Sequence, residues 1–395
     1  MTFSFKKKLV FTCIVLAVVL VMVEVGVRIL FAVQVGPSVL LYGLRSARQE
    51  INRQEANRSV WHPDNKSGRY TKFRPNQLRF DKDPETQAPF TVTINSRGFR
   101  GKEFSDQKRP GVVRVITLGE SSTFGFYARD DETYPHYLEQ LLNAQCGRAF
   151  EVINFGIPHL RSNHVLSLFL SEALALQPDV VTYYQGINDN LPLEVDTDQT
   201  APRRVGILWP LRSAYGAARN HVLSVALVQD LLTGSVKREL FADAQVRDHA
   251  EAIREPFLGN VARIHQESRQ RGIIFIVATQ QAASLIVKDH KDLRGLSYEA
   301  EVTLVKEKLA REGSVTRRER DLYAHNLLMQ DLRQWATTNE VPLVDVIKIL
   351  DQERDVLLNW VHLSRRGNQV IAASFAREVA SRTCREIPPR RAQTG

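Results

Sequence analysis

The segment Gly119-Glu120-Ser121-Ser122-Thr123-Phe124-Gly125 sets hydroxyl groups among small residues, directly after the apolar run Val112-Val113-Arg114-Val115-Ile116-Thr117-Leu118. A serine held on a turn at a strand end can act as a nucleophile once a neighbouring group takes its proton. The aliphatic run reads as a strand covered on both faces, and sites in open α/β sheets form where such strands end. Taken alone, Ser121, Ser122 or Thr123 would be expected only to cap the following helix.

Three further segments follow in order. Asn154-Phe155-Gly156 ends the strand Phe150-Glu151-Val152-Ile153, and Gly186-Ile187-Asn188-Asp189 ends Val180-Val181-Thr182-Tyr183-Tyr184. Asn359-Trp360-Val361-His362-Leu363-Ser364 opens the last helix. In order and spacing these blocks resemble those of the SGNH hydrolases, also called the GDSL esterase/lipase family, over most of Gly111 to Cys384. The resemblance implies that Ser121, in the place of the Gly-Asp-Ser-x-Thr-x-Gly serine, is the nucleophile. It implies an oxyanion hole built from the Ser121 N–H, the Gly156 N–H and the Asn188 side chain, donors that would meet charge developing on a tetrahedral intermediate. It also implies that His362, the histidine of an Asp-x-x-His block, is the base.

Two positions depart from the family pattern. Glu120 replaces the aspartate beside the serine, a change expected to be harmless. Asn359 stands where the family places the aspartate that orients the histidine. An asparagine can hold an imidazole through its carbonyl oxygen but brings no charge to an imidazolium. In a serine protease the same change costs about 10⁴ in turnover, partly through the wrong tautomer. Three arrangements stay open: a Ser121–His362 dyad oriented by Asn359 or a backbone carbonyl, an acid such as Asp355 or Asp189 reaching the ring, or a fold that binds without catalysis. The retained serine, glycine, asparagine and histidine favour the dyad.

The N-terminus sets the expected compartment. Lys6-Lys7-Lys8 precede an apolar stretch from Leu9 that continues, punctuated by Glu24 and Arg28, to Val33. About 20 apolar residues span the roughly 30 Å hydrocarbon layer, whereas a cleaved signal has an apolar region of about 7–15 residues ending in small residues. The stretch reads as an uncleaved signal anchor. Positive charge on its N-terminal flank directs the N-terminus to the cytoplasm. The expectation is a single-pass protein of the inner membrane with a periplasmic catalytic domain.

The 395 residues, 43% of them hydrophobic, suit one main domain with extensions. The expected division is 1–33 cytoplasmic stub and transmembrane anchor, 34–110 membrane-proximal extension, 111–384 hydrolase domain, and 385–395 basic tail. Helical insertions are expected at about 190–255 and 285–325. The first carries Trp209, Pro210, Tyr215, Leu223 and Leu227, and reads either as a lid over the site or as extra packing. The second, highly charged, reads as an exposed helical insertion. Within the extension, Phe90 to Ile94 alternates like a strand before Asn95-Ser96-Arg97-Gly98-Phe99-Arg100-Gly101.

Strands ending near Leu118, Ile153, Tyr184, Val277 and Val346 alternate with helices. This predicts an α/β fold: a three-layer α/β/α sandwich on a five-stranded parallel, flavodoxin-like sheet. The family resemblance implies the same fold. Besides Cys13 there are two cysteines, Cys146 and Cys384, each at the end of a predicted helix. They form either a disulfide suited to an oxidising compartment or two buried thiols.

The formal charge of +9 is spread widely and no nucleic-acid motif accompanies it, so no nucleic-acid partner is expected. No spaced His/Cys cluster indicates a metal, and the chemistry requires no cofactor. The expected activity is serine esterase hydrolysis of acyl or acetyl esters, on a lipid or an acylated glycan. The alternatives are an O-acetyltransferase or O-acetylesterase acting on envelope polysaccharide, and a silent glycan- or lipid-binding scaffold.

Overall fold

The computed structural model describes residues 5–35, 72–83, 88–190, 240–284 and 293–384, with a few single residues between these segments. The chain forms two units, residues 1–59 with 194–239 and residues 60–193 with 240–395. In the first, helix α1 (Phe5–Val35) carries a 25-residue apolar stretch, Lys6–Leu30, of mean hydropathy 2.8. At 1.5 Å per residue that stretch is about 37 Å long, enough to cross a bilayer. Its Glu24 is paired with Arg28 one turn on at 3.1 Å, and accepts hydrogen bonds from the Ser224 N–H and hydroxyl, both at 2.9 Å.

The second unit begins with an antiparallel hairpin, β1 (Gln77–Lys82) and β2 (Pro89–Ile94). Strictly alternating burial on β2 turns Phe90, Val92 and Ile94 inward. There they join Phe73 and Phe99 in one cluster with residues of the sheet, Phe99 stacking on Phe155 at 4.0 Å. Phe73, the hairpin and Phe99 thus share the core of the central sheet, because the hairpin has an apolar face to bury. The proposed boundary at 110 falls inside that core.

The central sheet takes β3 (Val113–Gly119), β4 (Phe150–Gly156), β5 (Val180–Tyr184), β7 (Ile274–Ala278) and β9 (Leu343–Val344) in the order β4-β3-β5-β7-β9, all parallel. Side chains alternate across such a sheet. Ile116, Leu118, Ile153, Phe155, Val181 and Tyr183 line one face, and Val113, Val115, Val152, Val180 and Tyr184 the other. Between β3 and β4 the chain makes the one-turn helix α2 (Ser121–Phe124) and then α3 (Tyr134–Gln145). Thr133 caps α3 through the His136 N–H, with a proline in the first turn where no donor is lost. Helix α4 (Ser162–Leu168) follows β4, and β6 (Leu240–Ala242) leads into α5 (Asp243–Gln270). On α5, Val246, Phe257, Val261 and Ile264 recur at helical spacing and are buried on the first face.

Helix α6 (Tyr298–Glu312) departs from the exposed insertion expected of its charge, since Tyr298, Glu301, Val302, Val305 and Leu309 are buried. Glu301 can be buried because Arg354, also fully buried, donates to it and to the Ala282 carbonyl. Strand β8 (Ser314–Thr316) pairs with β6, and α7 (Arg317–Thr338) follows. The short α8 (Val346–Leu350) and α9 (Arg365–Thr383) complete the chain's described part. Leu138 and Leu142 of α3 pack with Ile371, Phe375 and Val379 of α9 on the second face. These layers are the three-layer α/β/α sandwich the sequence predicts. Trp209, Pro210, Tyr215, Leu223, Leu227 and the tail 385–395 lie outside the described residues.

Packing of α3 against α9 brings their C-terminal ends together, and Cys146 and Cys384 are disulfide-bonded, Cα–Cα 5.3 Å apart and 238 residues apart in sequence. Cys13 is free on α1. Thiol titration of the unreduced, denatured chain is expected to find one reactive sulfur of three. Reduction should lower stability by about 2–5 kcal/mol, because it releases a long covalent loop in the unfolded chain.

Candidate active site

Strand β3 delivers the nucleophile candidate. It ends at Gly119, and the next turn folds back so tightly that a Cβ at Gly119 would lie 2.1 Å from Thr123 Oγ1 and 2.4 Å from the Tyr184 carbonyl oxygen. A Cβ at Gly156, at the end of neighbouring β4, would lie 2.1 Å from the Phe124 nitrogen. Both positions therefore require glycine. Thr123 Oγ1 donates to the Tyr184 carbonyl at 3.1 Å, tying the turn to β5. From the other side, fully buried Arg100 donates to the carbonyls of Phe124 (3.1 Å), Gly125 (2.6 Å) and Ala128 (2.5 Å). The Arg100 of the N-terminal element thus braces the serine turn, while Arg97 pairs with Asp106.

His362 arrives from the loop before α9. Its Nε2 lies 2.8 Å from Ser121 Oγ, and the two side chains, 241 residues apart in sequence, belong to residues only 8% and 6% exposed. Phe126, Tyr127 and Trp360 surround the imidazole with ring centroids 5.2, 5.5 and 6.4 Å away. Desolvation in this shell pushes the His362 pKa below its ordinary value; Glu120 opposes the shift and His159 adds to it.

Asn359 meets the other ring nitrogen, its Nδ2 lying 2.9 Å from His362 Nδ1. Its Oδ1 accepts the backbone N–H groups of Val361 (3.0 Å) and His362 (2.9 Å). Neither acid considered as a substitute reaches the ring. Asp355 is paired with Arg294, and Asp189 accepts from Ser162 and Gln185. The side-chain contact that the structure gives His362 Nδ1 is with the Asn359 amide nitrogen.

Two of the three expected oxyanion donors, the Gly156 N–H and Asn188, have other partners in this structure. The Gly156 N–H donates to Asn154 Oδ1 at 2.9 Å, and its lack of a side chain serves the close approach of Phe124. Asn188 Nδ2 donates to the Leu160 carbonyl at 3.1 Å and to Glu120 Oε2 at 3.3 Å. Two contributors went unrecognised in the sequence. Glu120, fully buried, accepts from the Ser121 hydroxyl, and Gln280 at the end of β7 donates to Glu120 Oε1 at 2.6 Å and to Ser122 Oγ at 3.1 Å. The sequence hint for Glu120 is an acid adjoining the serine, and for Gln280 its place after an apolar strand.

A buried serine–histidine pair lies at the carboxyl edge of a parallel sheet, with polar side chains converging from three further strand ends. The chain belongs to the GDSL-like Lipase/Acylhydrolase family, which residues 117–370 match. No curated protein matches its sequence. Among solved structures it is similar to a member of the lipolytic protein G-D-S-L family from Veillonella parvula DSM 2008, at 12% identity over 68% of this chain and 99% of that one, TM-score 0.38. It is also similar to a lipase/acylhydrolase from Enterococcus faecalis, at 15% identity over 68% of this chain and 96% of that one, TM-score 0.34. A catalytic mutant of an acetylxylan esterase from Geobacillus stearothermophilus is similar at 15% identity over 68% and 94%, TM-score 0.37.

The lowered pKa of His362 gives a pH prediction. The ring is neutral above its folded pKa, and a proton added to Nδ1 would point at the Asn359 amide hydrogens. Acylation of Ser121 by a carboxylic ester is expected to persist at pH 6.5 and to fall at lower pH, with a midpoint below the ordinary 6.5. A rate that titrates at or above 6.5 would contradict this placement of the imidazole.

Proposed function

We propose that this protein is a membrane-anchored serine esterase that hydrolyses carboxylic esters through an acyl-enzyme on Ser121. The observation that carries the reading is the 2.8 Å contact between Ser121 Oγ and His362 Nε2 at the carboxyl edge of the sheet. Ser121 Oγ attacks the ester carbonyl, its proton moves within the hydrogen-bonded cluster of Ser121, His362 and Glu120, and water then releases the acyl group. The Ser121 N–H and Asn188 Nδ2 are the donors proposed for the oxyanion, Asn188 exchanging its contact with Glu120 for the substrate. Gly156 contributes through packing.

Helix α1 is proposed as the anchor, with Lys6-Lys7-Lys8 on the cytoplasmic side and the catalytic unit outside. The Cys146–Cys384 disulfide supports an oxidising compartment. In that setting the substrate is an acyl or acetyl ester on a lipid or an envelope glycan.

The full chain in detergent micelles, given p-nitrophenyl esters from acetate to octanoate, is expected to hydrolyse at least the shorter members. Ser121→Ala should lower kcat/KM by about 10³-fold or more. Equal rates in wild type and Ser121→Ala, or no hydrolysis of any ester by folded wild type, would overturn the reading. Acceleration by an added glycan acceptor would identify transfer in place of hydrolysis.

A further inference from the structure

The hydrogen bonds around His362 decide which nitrogen carries its proton. Asn359 Oδ1 accepts two backbone N–H groups, at 3.0 and 2.9 Å, and this fixes the amide. Turned over, it would set its NH₂ against both of them. Its nitrogen therefore faces His362 Nδ1 at 2.9 Å, and an amide nitrogen has only protons to give. Nδ1 is then the acceptor, and the neutral imidazole carries its hydrogen on Nε2. Nε2 is in turn a donor to Ser121 Oγ at 2.8 Å, with no lone pair for the serine proton.

Ser121 must direct its own hydrogen elsewhere, and its second partner is Glu120 Oε2. The Glu120 side chain is fully buried and surrounded by donors: the Ser121 hydroxyl, Asn188 Nδ2 at 3.3 Å and Gln280 Nε2 at 2.6 Å. The Gln280 amide is itself oriented by the Ile187 N–H on its oxygen, at 2.8 Å. The carboxylate is thus held rigidly beside the hydroxyl.

We infer that Glu120 is the base that takes the Ser121 proton, with His362 acting as a neutral donor that fixes Oγ. The inference rests on the proposed role of Ser121 as nucleophile. As Oγ bonds to the carbonyl carbon, the O–H bond breaks and its proton passes to Glu120 Oε2, while the carbonyl π pair moves onto oxygen. Collapse of the intermediate re-forms the carbonyl and expels the alkoxide, which takes the proton back from the Glu120 carboxylic acid. Water repeats the cycle against the acyl-enzyme. Protonation of Glu120 also weakens its hold on Asn188 Nδ2, releasing that donor as the oxyanion forms. The acid absent at 359 is in this way replaced by one at 120, on the opposite side of the serine.

The test uses full-length protein in micelles and p-nitrophenyl acetate. Glu120→Gln keeps the size of the side chain and is expected to lower kcat/KM by about 10²–10⁴-fold, the usual contribution of a positioned base. Adding Asn359→Asp to that variant should restore at least about tenfold, because an aspartate accepts the Nδ1–H and frees Nε2 to act as base. A merely structural Glu120 predicts the same gain from Asn359→Asp in the wild-type background as in the Glu120→Gln background, whereas a base at Glu120 predicts a gain chiefly in the latter. Wild-type rates in Glu120→Gln, or a double variant no faster than the single, would overturn the inference while leaving Ser121 as nucleophile. ¹⁵N spectra of histidine-labelled wild type give a second readout that needs no variant to fold: a proton on Nε2 of His362 is expected, and a proton on Nδ1 overturns the assignment. Loss of hydrolysis in wild type itself would overturn the esterase reading and is distinct from either result.

Discussion

Everything at this site depends on how closely three parallel strand ends approach one another. Gly119, Gly156 and Tyr184 end adjacent strands in register, and the serine turn is wedged between them with no room for a Cβ at either glycine. A methyl group at Gly156 would meet the Phe124 backbone, which cannot yield without moving Ser121. The fold therefore fixes the Ser121 turn with backbone, and side chains are left to surround the hydroxyl. Arg100 and Thr123 brace the same turn from outside and inside the sheet. The N-terminal hairpin packs into the same core, and Arg100, which follows it, holds the serine turn.

Burial governs the electrostatics. The rings of Phe126, Tyr127 and Trp360 exclude water from His362 and favour its neutral form. An asparagine at 359 is compatible with that state, since a neutral ring needs orientation and no counter-charge. The buried Glu120 carboxyl group is met by three donors, the Ser121 hydroxyl, Asn188 Nδ2 and Gln280 Nε2. A second buried carboxylate, Glu301, is neutralised by Arg354, and that guanidinium also holds the Ala282 carbonyl, two residues after Gln280. Removing one member of such a pair costs about 3–5 kcal/mol, so the β7 exit that carries Gln280 is firmly anchored.

Much of this was legible in the sequence, for identifiable reasons. Five apolar runs ending in small or polar residues mark buried parallel strands, and period-2 burial follows from them. Ser121, Asn188, Asn359 and His362 stand in ordered blocks, and the structure brings all four into one hydrogen-bonded cluster with Glu120. Gly156 was legible as essential, but its N–H belongs to Asn154, a pairing that strand order cannot reveal. Glu120 was read as a neutral exchange for aspartate, because the reach of one extra methylene depends on the three-dimensional path of the turn. The 298–312 segment read as exposed because charge density conceals a helix face whose single buried acid finds its arginine 53 residues away. Gln280 carries no motif at all.

The central claim is that Ser121 is an activated nucleophile although no aspartate orients His362. The most direct measurement treats the full-length protein in micelles with a fluorophosphonate and maps the adduct by peptide mass. The account predicts one adduct, on Ser121. An unmodified folded protein, or an adduct on the adjacent Ser122, would contradict it.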